Sequence, residues 1–301
     1  MAEPREIKVT LTECPDATPK GKWAGFAKGF ESFSRIISIA AVPVVLAISG
    51  SMIDGSIKKQ SLSREYVQLA VSVLEEPDTN KVKPGLRSWA ADLLNKESPI
   101  PLAPDLLKEL KSGATTLPES NVGLVDLPPK GTINNGLHEP SVAFLLSVLG
   151  KPGELTPDCS PITNPRLKDL VVTADVGPFK TVGLKPATDA LTRIFARVKE
   201  DHPDLYASVG SAGMLCVRAV RGSRGSFSNH AWGIAIDLTV GGILAPTGQS
   251  RVPKGLQVLY PYFKAEKFMW GAGEARPNSM HFTASEELVR DWVSSGVIPS
   301  Q

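Results

Sequence analysis

"SFSNHAWGIAIDL", Ser226 to Leu238, sets a His and an Asp seven residues apart on either side of a glycine. After Gly233, the residues Ile234, Ile236 and Leu238 alternate with Ala235, Asp237 and Thr239. That is the period of a β-strand with one apolar face. The apolar set belongs to a core, so Asp237 points the other way, where a carboxylate needs a partner. His230 lies just before the strand and can fold back toward it across Gly233. A further His, His281 in "PNSMHF", begins another element after a loop. Two imidazoles and one carboxylate make a three-ligand zinc set with a fourth position for water. On spacing alone, a hydrogen-bonded His–Asp pair is the alternative.

The chain around this stretch has a mixed texture. From His138 onward, "SVAFLLSVLG" reads as a short helix closed by Gly150. "KPATDALTRIFARVKEDHPDLY" puts Leu191, Ile194, Phe195 and Val198 on one helical stripe. "GMLCVRAV" reads as a strand with Leu215, Val217 and Ala219 on one face and Cys216, Arg218 and Val220 on the other. "GLQVLYPYFKAEK" is a helix and "FMWG" a short strand. "HFTASEELVRDWVSSG" begins a closing helix, with Thr283 and Glu286 at capping-box spacing and Gly296 at its end. The expected fold is α+β: a small, mainly antiparallel sheet with helices packed on it, over residues 138–301.

Upstream, three further regions differ. Residues 1–35 form a polar tail. Residues 36–53, "IISIAAVPVVLAISGSMI", carry no charge and are near the minimum length for a transmembrane helix. The other readings are a buried core helix, or a signal peptide with the small residues Ala47 and Ser49 before its cleavage point. Residues 54–112 are a helical spacer. In it Leu62, Tyr66, Leu69 and Val73 form one stripe, Leu86, Trp89 and Leu93 another, and "APDLLKELKSG" a short helix ending at Gly113. Residues 113–137, with "DLPPKGTINNG", have the composition of a linker. Lysines and arginines flanking the apolar segment favour a single-pass inner-membrane protein with its C-terminal domain periplasmic or extracellular. In that topology Cys159 and Cys216 lie where a disulfide persists, a free buried thiol at Cys216 being the other reading. The net charge of +2 gives no case for nucleic acid as a partner.

"SNHAWGIAID" resembles the Ser-x-His-x-x-Gly-x-Ala-x-Asp signature of the D-alanyl-D-alanine carboxypeptidase family of zinc peptidases. That family includes VanY-type carboxypeptidases, VanX-type D,D-dipeptidases and phage endolysins that cut L-alanyl-D-glutamate. Ser228, His230, Gly233, Ala235 and Asp237 fill every fixed position. "MHF" at 280–282 is similar to the family's second motif, and "CVRAVRGS" resembles the strand before the signature in the extracellular branch. The resemblance implies that His230, Asp237 and His281 bind Zn2+, and that Ser228 and Trp232 lie on the substrate side. An arginine that stabilises the oxyanion is also implied, with Arg218 the first candidate and Arg221 the second.

The sequence departs from the family at one position. Three residues before the last His the family has an acid, the general base that activates water; here it is Asn278. An amide cannot take that proton. Glu274, in "GAGEARPNS", is the nearby carboxylate that can serve instead. The leading expectation is a membrane-anchored, zinc-dependent peptidase acting on peptidoglycan peptide stems. The alternative is a catalytically impaired module that binds zinc and cell-wall peptide. A third reading makes residues 57–112 the functional part, with the C-terminal domain a targeting device.

Overall fold

The structure, a computed structural model, describes residues 57–299 apart from positions 130 and 224. The apolar segment 36–53 lies outside the described residues. Among those described, no helix is long and apolar enough to cross a membrane.

The first three elements are helices α1 (Ile57–Glu75), α2 (Pro84–Glu97) and α3 (Pro104–Ser112). Gly113 ends α3 in the left-handed conformation, φ 79°, as its sequence position predicts. The buried stripes match the expected ones only in part: Val73 is buried and Leu93 packs against the core, as expected. Val67, Ala70, Val71 and Leu74 of α1 pack on Ala90, Ala91 and Leu94 of α2 and Leu110 of α3. Tyr66, Leu69, Leu86 and Trp89 face outward instead, with the Tyr66 and Trp89 rings in edge contact at 6.4 Å. Small alanines let two helices approach closely, so packing selects them over the larger apolar residues beside them.

Arg87 locks this bundle. Its side chain is buried. Nε donates to Leu110 O at 3.1 Å, Nη1 to Glu76 O at 3.1 Å, and Nη2 to Glu76 O at 3.1 Å and Leu74 O at 3.4 Å. These carbonyls lie at the C-terminal ends of α1 and α3, where orphan acceptors and the negative end of the helix dipole favour a cation. Arg87→Met is expected to lower stability by about 2–4 kcal/mol, because several buried acceptors lose their donor together. Arg87→Lys should recover little, since an ammonium cannot reach all three carbonyls. Denaturant midpoints check this, and an unchanged midpoint for Arg87→Met would count against it.

The segment composed like a linker contains a strand, β1 (Leu124–Asp126). Then follow α4 (Val142–Val148), α5 (Pro165–Lys168), β2 (Val171–Asp175), β3 (Lys180–Leu184), α6 (Lys185–Asp201), α7 (Pro203–Ser208) and β4 (Val209–Gly213). The rest comprises β5 (Ala235–Val240), β6 (Ile243–Leu244), β7 (Arg251–Pro253), α8 (Lys254–Ala265), β8 (Phe268–Trp270), β9 (His281–Ala284) and α9 (Glu286–Ser294). The architecture is α+β with small antiparallel sheets. The main sheet runs β4-β5-β9-β8, with β6 also paired to β5; β1 pairs with β7 and β2 with β3. Leu191, Ile194, Phe195 and Val198 of α6, all fully buried, pack in one core with Leu256, Leu259 and Phe263 of α8 and with Ile234, Ile236 and Leu238.

Two local expectations are corrected. Residues 214–220 are extended but form no regular strand. Their main-chain groups are shared among separate segments: Leu215 N donates to Val182 O, Cys216 N to His230 O, Val217 N to Ser160 O and Ala219 N to Thr156 O. The closing helix starts later than its capping-box spacing suggests. Thr283 belongs to β9, and Ser285 is the cap, its hydroxyl accepting from Leu288 N at 3.2 Å.

Candidate metal centre

Sheet register brings two of the three predicted ligands together. Asp237 on β5 is the direct cross-strand partner of His281 on β9. On its other side Asp237 faces Gly213, next to a bulge in β4, so no side chain crowds it from that strand. His230 arrives from a 3-10 turn, Asn229–Trp232, that ends at Gly233. Gly233 has φ 66°, and a Cβ there would lie 2.9 Å from Leu184 N. Only glycine allows both that conformation and the close approach of β3.

The ligand atoms converge. His230 Nε2 is 3.2 Å from His281 Nδ1, His281 Nδ1 is 3.0 Å from Asp237 Oδ1, and His230 Nε2 is 3.4 Å from Asp237 Oδ1. A tetrahedral ion bonded at its usual zinc distances holds its ligand atoms roughly 3.3 Å apart. The three residues are therefore spaced so that they could hold a metal ion. The ring orientation of His230 is set as well. Its Nδ1–H donates to Met214 O at 2.7 Å, which turns Nε2 toward the cluster. Burial alone would raise the Asp237 pKa. Hydrogen bonds from His230 and His281, with their charges, outweigh it and hold the carboxyl well below the usual carboxylate range. Asp237 is thus an anion throughout the neutral range.

The segment that supports His230 is itself stapled. Cys159 and Cys216 are joined in a disulfide with Cα atoms 5.1 Å apart, and the Cys216 N–H donates to His230 O at 3.0 Å. The free-thiol reading of Cys216 is set aside.

The expected base loop takes a definite form. Trp270 is followed by a 3-10 turn, Gly271–Gly273, and the chain returns at Asn278, whose N–H donates to Gly271 O at 2.9 Å. Glu274 is exposed where the loop turns back, with one carboxylate oxygen toward Gly271. A Cβ on Gly271 would lie 2.9 Å from Glu274 Oε1 and 3.1 Å from His281 Cβ. The carboxylate and the third candidate ligand therefore share the space over a bare α-carbon with Asn278 O, 2.5 Å from that same Cβ position. Partial burial, then the charges of Glu139 and Asp237, push the Glu274 pKa up to about 7. Asn278 has a different task. Its side chain meets Thr247 Oγ1 at 3.4 Å, and its carbonyl accepts from His281 N at 3.0 Å. The same loop borders a cleft of about 460 Å³, lined in part by Leu127, Ile133, Gln249, Ala272 and Pro277.

The remaining predicted residues divide. Arg218 lies beside Ser228, whose N–H donates to Arg218 O at 3.1 Å, and its Nη1 donates to Ala219 O at 3.1 Å. Partial burial and the charge of Arg221 lower the Arg218 pKa, and the charge of Asp237 opposes them. Its guanidinium is therefore within electrostatic reach of the cluster, with exposed Arg221 farther out on the same loop. Ser228 caps the turn before His230 without using its hydroxyl for the capping bond. Trp232 is corrected. It is fully buried, its indole N–H donates to Gly150 O at 2.8 Å, and Phe227 packs on its edge at 5.5 Å. It belongs to the core and cannot contact a substrate. Met214, Gly271 and Glu139 had no sequence signal, because each acts through a main-chain atom, a missing side chain or a charge from a distant segment.

A His–Asp–His cluster that could hold a metal, built on the two central strands of a small antiparallel sheet, suits a hydrolase of the peptidase class. Residues 221–284 match the family model described as D-alanyl-D-alanine carboxypeptidase, and that match supports the zinc D-Ala-D-Ala peptidase family. The matched span contains all three ligands, Glu274 and Asn278, and stops short of Arg218. No curated protein and no solved structure matches the chain.

Proposed function

We propose that the chain is a zinc-dependent peptidase of the D-Ala-D-Ala carboxypeptidase type acting on peptidoglycan stem peptides. The observation that carries this reading is the Glu274 carboxylate, beside His281 in the space over Gly271. His230, Asp237 and His281 would hold the ion. When bound, zinc supplies Lewis acidity toward water and the scissile carbonyl. Glu274 then takes a proton from the attacking water as its oxygen bonds to the carbonyl carbon. The same carboxyl returns the proton to the leaving amine as the C–N bond breaks. Arg218 meets the negative charge that develops on the carbonyl oxygen. The cleft beside the loop is the space for the rest of the peptide. Anchorage through residues 36–53, with this domain outside the cytoplasm, accords with the disulfide and with a cell-wall substrate.

The second reading, a peptide-binding module without turnover, rests on Asn278. It is weaker because Glu274, in the same loop, supplies a carboxylate near His281.

The zinc-loaded full-length chain is expected to release D-Ala from peptides ending in D-Ala-D-Ala. Product no greater than that of His230→Ala would overturn the reading. The acid limb of kcat/KM should fall between 4.5, the ordinary carboxyl value, and about 7. Glu274 must be deprotonated to act, so activity is lost as pH falls through that limb. Burial and Glu139 raise it, and a bound dication pulls it back down.

A further inference from the structure

We infer that Asn134 is a positioning residue for Glu274, although it lies far outside the matched span 221–284. The inference rests on the assignment of Glu274 as the base. β8 is an edge strand of the main sheet, bonded to β9 on one side only. On its open side the Asn134 amide takes the place of a neighbouring strand. Asn134 Oδ1 accepts from Trp270 N at 2.8 Å, and Nδ2 donates to Trp270 O at 2.9 Å. Trp270 is the last residue before the Glu274 loop.

The loop also rests on the same segment further along. A Cβ on Gly273 would lie 2.9 Å from Asn134 Nδ2 and 3.1 Å from Ile133 Cγ2. Asn134 is itself fixed. Its φ of 61° is left-handed, which Asn tolerates, and its N–H donates to the Tyr260 hydroxyl. The Tyr260 ring lies 5.3 Å from the Trp270 ring. At the loop's far end the Trp270 indole N–H donates to Ser279 O at 2.6 Å. Both ends of 271–279 therefore close on Trp270, and Asn134 fixes the Trp270 main chain. Asn134 touches no ligand atom of the cluster, so its effect passes through the loop.

The test compares Asn134→Gly, Asn134→Asp and Glu274→Gln in the full-length chain. Glycine accepts the left-handed conformation and removes only the amide. Asn134→Gly is expected to lower kcat roughly tenfold to a hundredfold, as sub-ångström misplacement of a catalytic group does. KM and zinc affinity should stay at their wild-type values. In the metal-free protein, amide hydrogen exchange at Glu274 and Asn278 should accelerate. Asn134→Asp keeps an acceptor for Trp270 N–H and should recover part of the loss. Wild-type exchange in the loop of Asn134→Gly would overturn the inference. So would a parallel collapse of kcat, zinc affinity and thermal midpoint, which marks a merely structural residue. Loss of kcat in Glu274→Gln but not in Asn134→Gly would overturn it while sparing the base assignment. Undiminished kcat in Glu274→Gln would remove that assignment, and the catalytic half of the inference with it.

Discussion

Glu274→Gln is expected to lower kcat by about 10²–10⁴-fold, the usual contribution of a general base, while zinc stays bound in unit stoichiometry. The change is nearly isosteric, so the loop around Gly271 keeps its packing. The variant loses only the capacity to accept a proton. His230, Asp237 and His281 are untouched, and their mutual distances of 3.0–3.4 Å need nothing from Glu274. Activity and metal content should therefore separate, with kcat falling and zinc retained. The companion substitution sharpens the result. If the reaction lacks a base because position 278 is an amide, Asn278→Asp should raise activity strongly. The geometry predicts no such gain, since the Asn278 side chain is directed at Thr247. A large gain in Asn278→Asp, with no loss in Glu274→Gln, would favour the module without turnover. Steady-state kinetics with metal analysis on the same preparations decides between them.

Strand alternation was enough to place Asp237 on the open face, and the structure agrees, with Ile234, Ile236 and Leu238 fully buried behind it. The partner of Asp237 was a different matter. β9 is only four residues long and runs straight into α9, so its period could not be told from the start of a helix. The register pairing Asp237 with His281 is a long-range property that neither strand encodes alone. The stripe Leu191, Ile194, Phe195 and Val198 was legible and is fully buried, and Val73 is buried too. Tyr66, Leu69, Leu86 and Trp89 turn outward for a related reason. Hydrophobicity singles out Tyr66, Leu69 and Trp89, whereas close helix contact favours Ala70, Ala90 and Ala91. Trp232, placed on the substrate side by resemblance, is a core residue, and its buried bond to Gly150 O cannot be foreseen. Residues 113–137 are rich in turn formers, and that composition hides β1 and Asn134 alike. Turn residues describe backbone conformation; they do not say what the backbone leans on.

Asp237→Asn is expected to abolish useful zinc binding, with a larger effect than the roughly 10–100-fold that loss of an outer-shell partner costs. The carboxylate is the only anion in the ligand set, and its pKa is held low by the two imidazoles. An amide in its place offers a neutral, weaker donor with no charge to set against a dication. The fold should survive, because residue 237 lies on the open face and the Ile236 and Leu238 side chains behind it are unchanged. The wild-type chain should gain thermal stability with added zinc, by about 4 kcal/mol at a thousandfold excess over Kd. Asp237→Asn should show no gain over the same titration. The opposite result is equally informative. A variant that kept its zinc-dependent midpoint would mean that Asp237 serves only as the hydrogen-bond partner of His281, 3.0 Å away. The cluster would then be the His–Asp pair that its spacing alone also allows, and any ion would have to be held by other residues.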